Sequence, residues 1–239
     1  MVRRLRVAGF DLDGTLVDTA PDLAAASNAM LATLGLSELA EERIAGFVGD
    51  GIDLLVVRAL RDSTGKTPPP SLIRAALELF RRRYGERSFD RSRIYPGVVE
   101  GLESLRACGF ARCCLTNKPG AFTIPLVRAA GLAGLLDFVL CADAAEQRKP
   151  APALLLAACA RLGIGTGQML YVGDSHVDLA AARAAGCPVA LVDYGYGAKG
   201  WSATDRPDWI IGSLNEVIVL MTGTRPADAI RRMEGSSTC

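Results

Sequence analysis

Six short apolar runs, at residues 5–10, 110–116, 138–141, 169–172, 189–192 and 209–211, recur along the chain with helix-patterned stretches between them. Strands that read this way are covered by helices on both faces, because neither side of the sheet meets water. The intervening stretches 98–108, 121–130, 151–162 and 177–185 are long enough for helices, and Gly109, Gly131, Gly163 and Gly186 follow them as C-terminal stops. The rhythm predicts an α/β protein built on a parallel sheet.

One interval breaks it. About eighty residues separate the first strand from Tyr95-Pro96-Gly97, and they read as helical throughout. Leu23, Ser27, Met30, Leu31 and Leu34 follow helical spacing, with Asp18 or Thr19 placed to cap and Pro21 tolerable in the first turn. Stretches 44–60 and 71–84 are further helical candidates, separated by Thr67-Pro68-Pro69-Pro70. A connection this long with its own amphipathic helices is an inserted domain rather than a loop. The expected organisation is a core of residues 1–17 and 95–222, a helical insert of residues 18–94, and a flexible tail of residues 223–239.

Charge narrows the function. Lys and Arg total 27 against 26 Asp and Glu, so no overall basic field draws the chain to nucleic acid. The apolar run after Arg3, Arg4 and Arg6 is cut by Asp11 and Asp13 before it could serve as a secretory signal, and no later run is long enough to span a bilayer. The expectation is a cytoplasmic protein with no membrane partner. The seven cysteines, at 108, 113, 114, 141, 159, 187 and 239, form no C-x-x-C pair and sit mostly in apolar segments, as reduced core thiols do. Adjacent Cys113 and Cys114 would face opposite sides of a strand.

Phe10-Asp11-Leu12-Asp13-Gly14-Thr15 puts two carboxylates two residues apart where the first strand ends. Alone, such a segment is equally well explained as a turn. Three other strand ends bear on it: Thr116-Asn117, Lys149-Pro150 ahead of a helix, and Gly173-Asp174-Ser175 with Asp178 one helical turn later. Ligands of open α/β sheets bind outside the carboxyl ends of strands, so these segments should converge there. Together they supply acids for a cation, a hydroxyl and an amide for phosphate oxygens, and an ammonium. That inventory suits phosphoryl transfer, and ligation rich in oxygen and poor in histidine favours Mg2+ over zinc.

In this order and spacing, Asp11-Leu12-Asp13-Gly14-Thr15, Thr116-Asn117, Lys149-Pro150 and Gly173-Asp174-Ser175-x-x-Asp178 resemble the four motifs of the haloacid dehalogenase superfamily of phosphatases. The resemblance covers nearly the whole chain. It implies a Rossmann-like core with an inserted all-α helical-bundle cap, Mg2+ as cofactor, and a small-molecule phosphate ester as substrate, in a monomer or homodimer. Asp11 resembles the nucleophile that becomes an aspartyl-phosphate, and Asp13 the general acid that protonates the leaving alcohol and then activates water. Thr116 and Lys149 resemble the groups that hold the phosphoryl oxygens, with Asn117 adjoining through its backbone. Asp174 resembles the metal ligand beside the Asp11 carboxylate and the Asp13 carbonyl. Asp178 and Ser175 are implied to stand behind them, Asp178 as a partner of Lys149 or of a bound water.

Within the superfamily, Leu115-Thr116-Asn117-Lys118-Pro119, Phe47-Val48-Gly49-Asp50-Gly51, residues 171–175 and Gly195-Tyr196-Gly197 look most like phosphoglycolate phosphatases. Relatives that act on sugar phosphates or amino-sugar phosphates, such as N-acetylmuramic acid 6-phosphate, share these features, and nothing excludes a sugar-phosphate mutase. Gly49 and Gly51 admit two accounts, close approach of a small substrate or the turn that starts a helix.

Other readings compete. Gly195-Tyr196-Gly197-Ala198-Lys199-Gly200 matches G-x-G-x-x-G after a strand, but no helix pattern follows, so a turn-rich loop is expected rather than a dinucleotide site. A signalling receiver domain shares the acids, Thr and Lys, yet has no place for an insert after the first strand. His176, the only histidine, reads as a solvent-facing residue of a helix's first turn, and Lys66 as part of an exposed turn. Arg81, Arg82, Arg83, Arg87, Arg91 and Arg93 read as a solvated face, with guidance of an anionic substrate as the alternative.

Overall fold

Val7–Phe10 is a four-residue strand, β1, buried along its whole length, so it can lie only between other strands and beneath two helical layers. The computed structural model describes residues 4–86, 89–197 and 206–223, and the expected tail falls outside these apart from Gly223. The chain continues through β2 (Val17–Asp18), the helices α1 (Ala20–Thr33), α2 (Glu41–Ala45), α3 (Ile52–Thr64) and α4 (Pro70–Glu86), and β3 (Arg93–Ile94). Then follow α5 (Val98–Ala107), β4 (Ala111–Thr116), α6 (Gly120–Ala129), β5 (Phe138–Cys141), α7 (Ala153–Leu162), β6 (Met169–Gly173), α8 (His176–Ala185), β7 (Val189–Val192), β8 (Trp209–Ile211) and α9 (Val217–Thr222).

All six expected strands form one parallel sheet in the order β5-β4-β1-β6-β7-β8. Succession reverses between β1 and β6, and such a switch point opens a crevice at the carboxyl ends of the strands. Alternation along each strand fills two cores. Ala8, Phe10 and Cys114 face one with residues of α5, α6 and α9, while Val7, Cys113 and Tyr171 face the other with residues of α7 and α8. Cys113 and Cys114 do lie on opposite faces, and the cysteines at 108, 113, 114, 141, 159 and 187 are free thiols. Gly109, Gly131, Gly163 and Gly186 all adopt positive φ after their helices, as the stop pattern requires.

Helices α1 to α4 bury a third core, including Leu23, Met30, Leu31, Leu55, Phe80 and Tyr84, with Phe122 of α6 packed against it. Here the structure departs from the pattern-based expectation in three ways. The 44–60 stretch is two helices, because Gly49 and Gly51 take φ values of 118° and 92°, which no right-handed helix accommodates. The chain leaves and re-enters the core through a two-stranded antiparallel ribbon, β2 with β3, too short to carry a periodic signal. Thr19 occupies the N-cap of α1 without a capping side-chain bond, since its hydroxyl donates to Asp13 at 2.6 Å. Among the described residues, no helix is long and apolar enough to cross a membrane.

Candidate active site

Asp11 follows the last residue of β1, where its amide still donates to the Val172 carbonyl at 2.9 Å, and Asp174 follows the last residue of β6. The two carboxyls therefore flank the switch-point crevice. Asp178, on the first turn of α8, joins them, with one oxygen from each carboxyl lying within 4.8 Å of the others. Its position is set by a reciprocal cap. The Asp178 amide donates to Ser175 Oγ at 3.4 Å, and the Ser175 amide donates back to Asp178 Oδ2 at 3.1 Å, with Ser175 Oγ donating to the same oxygen at 2.6 Å. The motif that suggested chemistry is thus also a helix start.

Lys149 reaches this trio from the loop ahead of α7. Its Nζ lies 2.7 Å from Asp11 Oδ1, 2.7 Å from Asp178 Oδ1 and 2.9 Å from the Tyr171 hydroxyl. Burial works against the ammonium, but the two carboxylates overcome it and raise its pKa. Asp178 is lowered in turn, its burial outweighed by Lys149. Asp11 is different: burial dominates, and its pKa is pushed up to about 7 although Lys149 opposes the rise. Asp174 is raised well above the ordinary carboxylate value by burial and by the charges of Asp178 and Asp11.

Asp174 forms no ion pair among the described residues. Among the described residues its Oδ2 accepts only backbone amides, from Tyr196 at 2.8 Å and Gly197 at 3.2 Å. Three buried carboxyls sharing one ammonium leave an excess of negative charge beside Asp174, and a hard divalent cation would relieve it. The donor set is all oxygen, so the residues present fit such an ion.

A cleft enclosing about 360 Å³, part of it open to solvent, lies over Asp11. Its floor is Asp11, Asp13, Thr116, Asn117 and Lys118, and its roof is Leu23, Val48, Gly49, Gly51, Ile52 and Leu55 from the helical insert. Lys149, Asp174, Asp178 and Ser175 stand behind this floor rather than lining it. Of the two accounts given for Gly49 and Gly51, the helix-start turn holds, since Gly51 precedes α3 as its N-cap; both glycines also line the cleft.

Asn117 contributes more than a backbone. Its side-chain oxygen accepts from the Lys149 amide at 2.7 Å, and its side-chain nitrogen donates to the carbonyls of Lys149 and Gly49, each at 2.9 Å. It ties the Lys149 loop to the roof. Thr116 Oγ1 accepts from the Lys118 amide at 3.1 Å. Lys118 escaped the sequence reading as a site residue, although it was in view beside Thr116-Asn117. Its ammonium pairs with Asp13 Oδ1 at 2.9 Å and lies 4.8 Å from the centre of the Tyr84 ring. Burial disfavours that charge, but Asp13 and Tyr84 raise the pKa overall.

The remaining candidates are peripheral. His176 is exposed at the start of α8, and Lys66 is exposed in the turn between α3 and α4. Arg81, Arg83 and Arg91 are exposed and paired with Asp53, Glu86 and Glu41, the solvated arrangement, while Arg87 lies outside the described residues. In the G-x-G-x-x-G stretch, Gly195 and Gly197 pack against Asp174 and Ser175, so that loop serves the carboxylate cluster; Ala198, Lys199 and Gly200 lie outside the described residues.

A parallel sheet with aspartates at its switch point and a helical roof defines a class of fold, the open α/β sheet whose carboxylate-lined crevice is covered by an inserted helical layer. The chain belongs to the haloacid dehalogenase-like hydrolases, whose family model matches residues 9–192. It is 48% identical over 192 residues, 80% of this chain and 85% of the relative, to a phosphoglycolate phosphatase of Nitrosospira multiformis. It is 42% identical to the plasmid-encoded phosphoglycolate phosphatase of Cupriavidus necator, across 92% of this chain and 94% of that one. Among solved structures, a predicted phosphoglycolate phosphatase from Haemophilus somnus superposes with a TM-score of 0.86 at 33% identity, covering 93% of this chain and all of the other. The family membership removes the receiver-domain and dinucleotide-binding alternatives.

Proposed function

We propose that the chain is a Mg2+-dependent phosphatase that hydrolyses 2-phosphoglycolate to glycolate and inorganic phosphate. The observation that carries this reading is the placing of Asp11 between two environments, the buried cluster with Asp174, Asp178 and Lys149 on one side and the cleft with Asp13 on the other. The relatives named phosphoglycolate phosphatase suggest the substrate.

An Asp11 carboxylate oxygen attacks phosphorus as the ester bond from phosphorus to oxygen breaks, and an aspartyl-phosphate forms. Asp13 delivers a proton to the departing oxygen and releases the alcohol. Asp13 next takes a proton from water as the water oxygen attacks phosphorus. The bond from Asp11 to phosphorus breaks, phosphate leaves and both carboxyls are restored. Thr116, on the cleft floor, holds one phosphoryl oxygen, and Lys149, paired with Asp11 from behind that floor, balances the negative charge of the phosphoryl group, with Asn117 fixing the Lys149 loop and Ser175 fixing Asp178. Asp11, Asp174 and the Asp13 carbonyl would hold Mg2+, which when bound would supply positive charge against the anionic ester. In this scheme residues 18–94 act as a cap that excludes water, on a core of residues 1–17 and 95–222. The protein works in the cytoplasm on a free small ester, as a monomer or homodimer.

The test is phosphate release, with Mg2+, from a panel of 2-phosphoglycolate, sugar phosphates, amino-sugar phosphates and nucleoside monophosphates. We expect kcat/KM for 2-phosphoglycolate to exceed the others by about 100-fold. Selectivity for another ester would keep the chemistry and replace the substrate. No release from any ester would overturn both.

A further inference from the structure

The Gly195-Tyr196-Gly197 segment, which reads as a turn-rich loop, touches two parts of the molecule at once. On one side its backbone holds Asp174. The amides of Tyr196 and Gly197 donate to Asp174 Oδ2 at 2.8 and 3.2 Å. A Cβ at Gly195 would come within 2.6 Å of both Asp174 Oδ2 and the Gly14 carbonyl, and one at Gly197 within 2.9 Å of the Asp174 carbonyl. The loop can lie this close only because both residues lack a side chain.

On the other side it reaches the strands by which the chain enters and leaves the helical insert. The Tyr196 hydroxyl accepts from the amides of Thr19 and Ala20 at 2.7 and 2.9 Å and donates to Asp18 Oδ1 at 2.7 Å. One donor and two acceptor sites are thereby all used, at the junction of β2 and α1. Tyr194 repeats the pattern: its hydroxyl donates to the Thr15 carbonyl at 2.9 Å, and its ring lies 4.5 Å from that of Tyr95, beyond the exit strand β3. Tyr95 in turn donates its amide to the Leu16 carbonyl at 3.2 Å.

We infer that Tyr196 is a positioning residue that couples loading of the carboxylate cluster to the setting of the insert's entry strand. It rests on the reading of Asp11, Asp174 and the Asp13 carbonyl as a Mg2+ site. An ion there fixes the Asp174 carboxylate, Asp174 fixes the Tyr196 backbone through two amides, and the phenol carries that restraint to residues 18–20. The coupling is reciprocal, so a disordered entry strand weakens Mg2+ binding in the same proportion.

Hydrogen exchange of the full-length protein with and without Mg2+ tests this, alongside calorimetric titration of Mg2+, in wild type and Tyr196→Phe. The substitution keeps the ring and removes only the hydroxyl. In wild type, Mg2+ should slow exchange across residues 17–22 by about fivefold, the worth of roughly one hydrogen bond. In Tyr196→Phe that response should vanish and Mg2+ should bind about three- to tenfold more weakly. A variant that responds to Mg2+ as wild type does would overturn the inference alone. Wild-type protein that binds no Mg2+ would overturn the inference together with the metal-dependent reading beneath it.

Discussion

Lys118 Nζ lies 2.9 Å from Asp13 Oδ1, and only 2% of the lysine side chain and 12% of the aspartate side chain is exposed. Because the ammonium also faces the Tyr84 ring of α4, the carboxyl that looks into the cleft is braced by the helical insert as well as by the sheet. Thr19 adds a third contact, its hydroxyl donating to the same Asp13 oxygen.

Removing one member of so enclosed a pair strands the other's charge. Lys118→Met should destabilise the protein by about 3 kcal/mol in denaturant unfolding. With Asp13→Asn also present, the loss should be clearly smaller than the sum of the two single losses. Strict additivity would mean that the pair contributes nothing.

Asp13 is assigned to proton transfer, so its worth depends on the leaving group. In a single turnover, Asp13→Asn should slow leaving-group release from an alkyl phosphate by about 100-fold or more and from an aryl phosphate such as p-nitrophenyl phosphate much less, since the aryl oxygen departs without a proton, whereas the later attack of water slows alike for both. Mg2+ affinity, read by calorimetry, should stay close to wild type, because the proposed contact of Asp13 with the ion is through its backbone carbonyl, which the substitution keeps. Equal losses on both esters would remove Asp13 from that role.

Burial holds the Asp11 carboxyl at about 7, against an ordinary value of 3.8, with Lys149 opposing the rise. Below pH 3.8 the group is protonated folded or unfolded and contributes nothing. As pH rises toward 7 the unfolded chain gives up this proton and the folded chain keeps it, so metal-free protein loses stability, the full loss being reached above that value. Asp174, raised by burial and its carboxylate neighbours, acts with the same sign. Mg2+ must displace these protons, so at one fixed concentration it should raise Tm more at about pH 8 than at about pH 5.5. Asp11→Asn should flatten the pH dependence of the metal-free protein. Equal Mg2+ shifts at both values would contradict the assignment.

The sheet was legible because its signal is local. Six apolar strands and four glycine-stopped helices each announce themselves within about ten residues, and the convergence of Asp11, Thr116, Lys149 and Asp174 follows from the rule for strand ends. What was missed is non-local. Lys118 looks like any strand-end lysine until the fold sets Tyr84 over it, and Tyr196 is an ordinary loop tyrosine until its hydroxyl meets residues 18–20, more than 170 positions away. The apolar roof of Leu23, Ile52 and Leu55 reads as helix core in the pattern, since nothing local separates a residue facing other helices from one facing a cleft. The split between α2 and α3 was visible in Gly49 and Gly51 but outweighed by the helical spacing around them.

The most direct measurement is phosphate release from 2-phosphoglycolate with Mg2+ by wild type and Asp11→Asn side by side. With the carboxylate that attacks phosphorus replaced by an amide of the same shape, turnover should fall to the background of the uncatalysed reaction while the protein stays folded by circular dichroism. Turnover persisting in Asp11→Asn at a substantial fraction of the wild-type rate would show that Asp11 is not the nucleophile.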